Sequence, residues 1–133
     1  MNAPGSIPEL APGVPDGLPG GLRNYWYPVL QSEELGAEKP VAFRVLGENL
    51  VAWRDQHGHP CVVVDRCPHR SIKLSVGRIL EGELQCVLHG LRFNGAGTCT
   101  LIPWEKERSA AHERVAVTAY PARELGGYIW AYI

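Results

Sequence analysis

The chain has no long apolar run, no block of like charge, little helical periodicity and only four cysteines, and each shortage excludes a class of protein. The longest apolar stretch, Tyr128–Ile133, falls far short of the roughly 20 residues that a membrane-crossing helix needs. With 13 basic and 14 acidic side chains the net charge is −1, and no segment concentrates either sign. That excludes the basic groove or stripe by which proteins hold nucleic acid. The N-terminus does not read as a secretory leader, because its first basic residue is Arg23 and Pro or Gly interrupts it every few positions. A cytoplasmic protein with neither a membrane nor a nucleic-acid partner is expected. In that compartment four cysteines do not suggest a disulfide framework, so their spacing is read as metal or redox chemistry.

Glycine and proline are abundant instead, at 15 and 11 residues. Residues 1–24 hold five of each without any apolar period, which predicts a flexible tail. From residue 25 to 133 acids and bases balance, and the pattern is that of a single all-β domain. Apolar residues alternate at period two in short runs separated by turn signals. Val41–Leu46 and Leu50–Arg54 flank Gly47-Glu48-Asn49 as a hairpin would, and Asp55–His59 turns the chain into Cys61–Asp65. Glu83–Val87, Leu91–Phe93, Thr98–Ile102, Val115–Ala119 and Tyr128–Ile133 complete the strand series, with a turn at Asn94–Gly97. The one helical turn expected is Ser32–Leu35, with Ser32 as its cap.

The chemistry lies in Cys67-Pro68-His69 and, after sixteen intervening residues, Cys86-Val87-Leu88-His89. Each pair follows a predicted strand, so two loops would each offer a thiolate and an imidazole. Two cysteines and two histidines hold either a zinc ion or an iron-sulfur cluster of Cys2His2 ligation. Zinc fingers pair like ligands and take their histidines from a helix, whereas here each loop mixes the two and no helix is available. In the cluster, both thiolates hold one iron and both imidazoles the other, which mixed loops suit well.

Cys67–Arg70, Cys86–Phe93 and the following Asn94–Thr98 resemble the two cluster-binding loops of Rieske proteins. Asn24–Val29 and Gly126–Trp130 are similar to the opening and closing strands of the Rieske domain in bacterial ring-hydroxylating and demethylating oxygenases. The resemblance implies an antiparallel β-sandwich over residues 25–133, with a small cluster-binding subdomain of two loops at about 65–103. It implies a Rieske-type 2Fe-2S cluster ligated by Cys67, His69, Cys86 and His89. Respiratory Rieske subunits add a cysteine to each loop, where this chain has Ile72 and Leu88, and a serine where it has Leu91. The loops therefore have no disulfide clamp, and the missing donor implies a potential at the low end of the Rieske range, around −150 mV. Oxygenases usually place a tryptophan at Leu91 and often an aromatic at Leu88; leucine at either still excludes water.

Two neutral imidazoles in place of two thiolates leave the oxidised core uncharged, so an added electron meets less repulsion. The function implied is one-electron transfer within a ring-hydroxylating or demethylating oxygenase system. A reductase or ferredoxin would donate, and a mononuclear iron domain would accept. The loops over residues 66–73 and 86–92 contain Arg66, Arg70, Lys73 and Arg92 but no acid, an expected dock for an acidic donor. His57, His59 and His112 do not form a two-histidine, one-carboxylate iron site, so this polypeptide is not expected to activate oxygen alone. The alternatives are a stand-alone Rieske ferredoxin and, from another class, a structural zinc-binding interaction domain. Cys61 and Cys99, within strand patterns, read as buried hydrophobes. Trp53, Trp104 and Trp130 read as core or edge packing.

Overall fold

A computed structural model describes residues 23–105 and 110–133. Most of the Pro/Gly-rich tail expected over residues 1–24 lies outside the described residues. Its described end is tied to the domain: the Arg23 guanidinium pairs with Glu48 at 2.7 Å and donates to the Tyr120 hydroxyl at 3.1 Å. The Asn24 N–H donates to the carbonyl of Ile133.

The architecture is all-β and antiparallel. In chain order it runs β1 (Trp26–Gln31), a 3-10 turn (Ser32–Glu34), β2 (Val41–Val45), β3 (Glu48–Arg54), β4 (Pro60–Val64) and a second 3-10 turn (Leu74–Val76). There follow β5 (Arg78–Leu80), β6 (Glu83–Gln85), β7 (Arg92–Phe93), β8 (Cys99–Leu101), a one-turn helix α1 (Ala110–Arg114), β9 (Ala119–Tyr120), β10 (Ala122–Leu125) and β11 (Tyr128–Tyr132). The strands form three sheets, in the orders β1-β11-β10, β2-β3-β4-β9 and β5-β6-β7-β8.

The middle sheet is buried on both faces, and the sequence of β3 shows why. Side chains alternate across a strand, so Val51 and Trp53 point to one side and Leu50 and Ala52 to the other. All four are fully buried. Val51 and Trp53, with Cys61 and Val63 of β4, pack against Leu74, Leu84, Leu91 and Phe93 beneath the third sheet. Leu50, Ala52 and Val62 pack against Leu30, Ile129 and Ala131 of the first sheet. Each large apolar side chain so buried contributes about 1.5–3 kcal/mol. The Trp53 indole Nε1 is not left unpaired and donates to the Gly82 carbonyl at 3.0 Å.

Three hairpins turn on two residues: Leu46-Gly47, Glu81-Gly82 and Gly126-Gly127, all six with positive φ. That is the twist-matched turn of antiparallel pairs, here with non-glycine residues at two of the first positions. The expected helical turn at Ser32 forms, but Ser32 lies inside it rather than capping it. The residue before it, Gln31, donates its N–H to the Glu34 carboxylate at 2.7 Å. Val115–Ala119 is a strand only at its end, because α1 and its exit occupy the beginning. His112 sits buried in α1. Among the described residues no helix is long and apolar enough to cross a membrane.

Candidate metal centre

Two loops adjoin the third sheet in the chain. The first, Cys67–Ile72, follows β4; the second, Cys86–Leu91, joins β6 to β7. Both close in the same way. The Cys67 N–H donates to the Ile72 carbonyl at 2.7 Å and the Ser71 N–H to the Cys67 carbonyl at 2.7 Å. In the second loop the Cys86 N–H donates to Leu91 at 2.8 Å and the Gly90 N–H to Cys86 at 3.1 Å. The fifth residue of each loop takes a positive φ, 60° at Ser71 and 82° at Gly90.

This shared turn sorts the four candidate ligands into two pairs. Cys67 and Cys86 are buried and neighbour one another. His69 and His89 lie outward, with Nδ1 atoms 3.4 Å apart and ring centroids 5.1 Å apart. Two nitrogens bound at about 2.0–2.1 Å to one tetrahedral metal stand about 3.4 Å apart, so the imidazoles are spaced for a common ion. Among the described residues no three of His, Cys, Asp or Glu converge on a single ion position. The donors thus divide as two thiols within and two imidazoles without, which fits the two irons of a Cys2His2 cluster better than one zinc.

Burial pushes the Cys67 thiol up to about 11, and the neighbouring Cys86 adds to the rise. The backbone N–H groups of His69 and Arg70 donate toward this sulfur and act in the opposite sense. A buried thiolate here needs a cation beside it, which a metal supplies.

Two supporting residues were not evident from the sequence. Asp65, buried just ahead of the first loop, accepts from the Ser75 N–H and hydroxyl, both at 2.7 Å. Gln85, just ahead of the second, accepts from Arg78 Nε at 2.8 Å and donates to the Gly90 carbonyl at 3.3 Å. A polar side chain at the strand end before each cysteine was the available signal.

Other expectations need correction. Arg92 is not part of a free basic rim: it pairs with Glu81 at 3.0 Å and Glu83 at 3.2 Å. Arg66, Arg70 and Lys73 remain exposed, with no acidic partner among the described residues. Trp53 is core and Trp130, on the central strand β11, donates to the Leu125 carbonyl of the edge strand β10, but Trp104 lies in no sheet. Its ring stands 5.4 Å from that of His69 and 6.1 Å from that of His89. Leu91 is buried as expected, whereas Leu88 is 47% exposed and covers little. Cys61 and Cys99 are buried in the core; burial pushes the Cys61 thiol up to about 12. His57 and His59 form a turn around Asp55, whose Oδ1 accepts both their N–H groups.

Fold, paired loops and donor set define a cluster-binding electron-transfer domain. The Rieske [2Fe-2S] domain profile matches residues 25–121, and the chain belongs to this family, whose cofactor is a Rieske-type 2Fe-2S cluster. It is 42% identical over 122 residues to the 3-chlorobenzoate-3,4-dioxygenase oxygenase subunit of Comamonas testosteroni, covering 91% of this chain and 28% of that one. It is 40% identical over 112 residues to the chloroplastic chlorophyllide a oxygenase of Chlamydomonas reinhardtii, covering 84% and 17%. Among solved structures, dicamba monooxygenase bound to dicamba superposes with a TM-score of 0.75 at 37% identity, over 83% of this chain and 32% of that one. The chain therefore spans less than a third of the length of each of these relatives. Its kinship is with the Rieske domains of oxygenases, and it serves electron transfer of that kind.

Proposed function

We propose that Cys67, His69, Cys86 and His89 ligate the cluster, the thiolates on the buried iron and the imidazoles on the outer one. In this reading residues 25–133 form the electron-relay domain of a ring-hydroxylating or demethylating oxygenase, with residues 65–103 as its cluster-binding part. The bound cluster takes up and gives up one electron at a time. Cys67 and Cys86 keep the sulfur side away from water, while His69 and His89 present the edge through which partners exchange electrons. Arg66, Arg70 and Lys73 attract an acidic reductase or ferredoxin to that edge, and the acceptor is a mononuclear iron domain. We take the compartment to be the cytoplasm, where thiols are kept reduced.

The observation carrying this reading is the common closure of the two loops, which puts both cysteines inside and brings both histidines together outside. Electron paramagnetic resonance of the reduced protein tests it. A rhombic Rieske spectrum is expected, and Cys86→Ala and His89→Ala should each abolish it. A wild-type spectrum from either variant would refute the ligand assignment.

A further inference from the structure

Trp104 is 55% exposed, although tryptophan usually buries most of its surface. It is held in place by its own segment. Ile102 is buried, and the Glu105 N–H closes a turn on the Ile102 carbonyl at 2.8 Å. Between them, Pro103 Cγ lies 3.2 Å from where a Cβ on Gly90 would stand, so the turn rests on the second loop. That docking brings the indole over both imidazoles. The three rings form a triangle with centroid separations of 5.1, 5.4 and 6.1 Å, all within the range of aromatic contact. The His89 contact is edge-on at 87° and the His69 contact is tilted at 45°.

We propose that Trp104 is a positioning residue for the two imidazoles, holding both rings in place and screening them from water. The inference rests on the ligand assignment above and extends it to a third segment of the chain. The two loops fix where His69 and His89 begin, but both rings lie at the surface and need a partner to fix where they point. An indole touching both limits their rotation together. It also occupies space that solvent or a chelator must cross to reach the outer iron. The apolar surroundings of a metal control solvent access, and removing groups that orient its ligands typically costs 10–100-fold in metal affinity or activity.

The test compares wild-type holoprotein with W104A, W104L and W104F. Two readouts are independent of turnover: the rate of cluster loss to an iron chelator, and the deuterium modulation of the reduced cluster in spin-echo resonance after transfer to heavy water. W104A and W104L are expected to lose the cluster roughly tenfold faster and to show deeper deuterium modulation, while W104F, which keeps a ring, stays near wild type. Should W104A fail to fold, W104L and W104F carry the comparison. If the ring-less variants match wild type in both readouts, or if W104F behaves as they do, the proposal is overturned while the ligand assignment stands. A wild-type protein without the rhombic spectrum overturns both.

Discussion

Ser71 and Gly90 occupy the same place in their loops, four residues after Cys67 and Cys86, and each donates its N–H to that cysteine's carbonyl from a left-handed backbone. Only glycine adopts this conformation without cost; for other residues the penalty is about 1–2 kcal/mol. Gly90→Ala is therefore expected to destabilise the protein by at least this amount, because its Cβ also meets Pro103 at 3.2 Å. Ser71→Gly should change stability by less than about 1 kcal/mol, since relief in the folded loop is opposed by the freedom glycine adds to the unfolded chain. Urea denaturation followed by tryptophan fluorescence compares the two. Equal losses for both variants would show that the loops are not equivalent.

The basic residues in and beside the two loops divide into free and committed charges. Arg66, Arg70 and Lys73 are exposed, whereas Arg92 is held by Glu81 and Glu83. Reversing Arg70 and Lys73 to glutamate should slow reduction by a strongly acidic ferredoxin about tenfold at low ionic strength, with the difference closing as salt rises. Arg92→Gln should leave that rate alone and lower stability by about 1 kcal/mol or less. Stopped-flow reduction across a salt series decides the matter. An unchanged salt dependence in the double reversal would remove these residues from any docking role.

The hairpin of β2 and β3 and the two ligand loops were legible because their signals are local: alternation in one case, Cys/His spacing in the other. What escaped was whatever depends on a neighbour. Strand β10, Ala122-Arg123-Glu124-Leu125, shows no buried alternation and exists because β11 pairs with it. Helix α1 is five residues long, too short for a period to show. The burial of β3 on both faces follows from the stacking of three sheets, which the alternation of a single strand does not reveal. Arg92 looked like a member of the basic rim until strand pairing brought Glu81 and Glu83 beside it. Trp104 lies fifteen residues beyond His89, and only the turn resting on Gly90 brings the two together.

Gly77 illustrates another such contact. Its φ of −83° suits any residue, yet a Cβ there would fall 2.0 Å from the Gln85 carbonyl oxygen, where β5 meets β6. The clash is with backbone, so no rotamer relieves it. Gly77→Ala is expected to cost about 3 kcal/mol, at the upper end of overpacking penalties. Gly36→Ala is the control, since nothing lies within 4 Å of its Cβ position, and it should be neutral or stabilising by up to about 1 kcal/mol. Thermal melts of both variants provide the check, and a neutral Gly77→Ala would contradict the packing described.

Arg54 joins three parts of the domain. Its guanidinium donates to the carbonyls of Leu35 at 2.7 Å, Gly58 at 2.9 Å and Ser32 at 3.2 Å, and grips the Glu124 carboxylate with two bonds of 2.8 and 2.9 Å. Those hydrogen bonds hold the Glu124 carboxyl down at about 2, against an ordinary 4.5. The folded state thus binds this proton less readily than the unfolded chain does, so the stabilisation is complete above about pH 4.5 and is lost as pH falls toward 2. With 36% of the Glu124 side chain open to solvent, the contribution should not exceed about 1 kcal/mol and should shrink in salt. Melting temperatures of wild type and Glu124→Gln, taken from about pH 7 down to about pH 3, should therefore differ most at the neutral end and converge in acid. Arg54→Lys, which keeps the charge but lacks the planar fork, should lose most of the same difference at neutral pH. A gap between wild type and Glu124→Gln that stays constant across the acid range would show that the Arg54 grip does not set the carboxyl's affinity for protons.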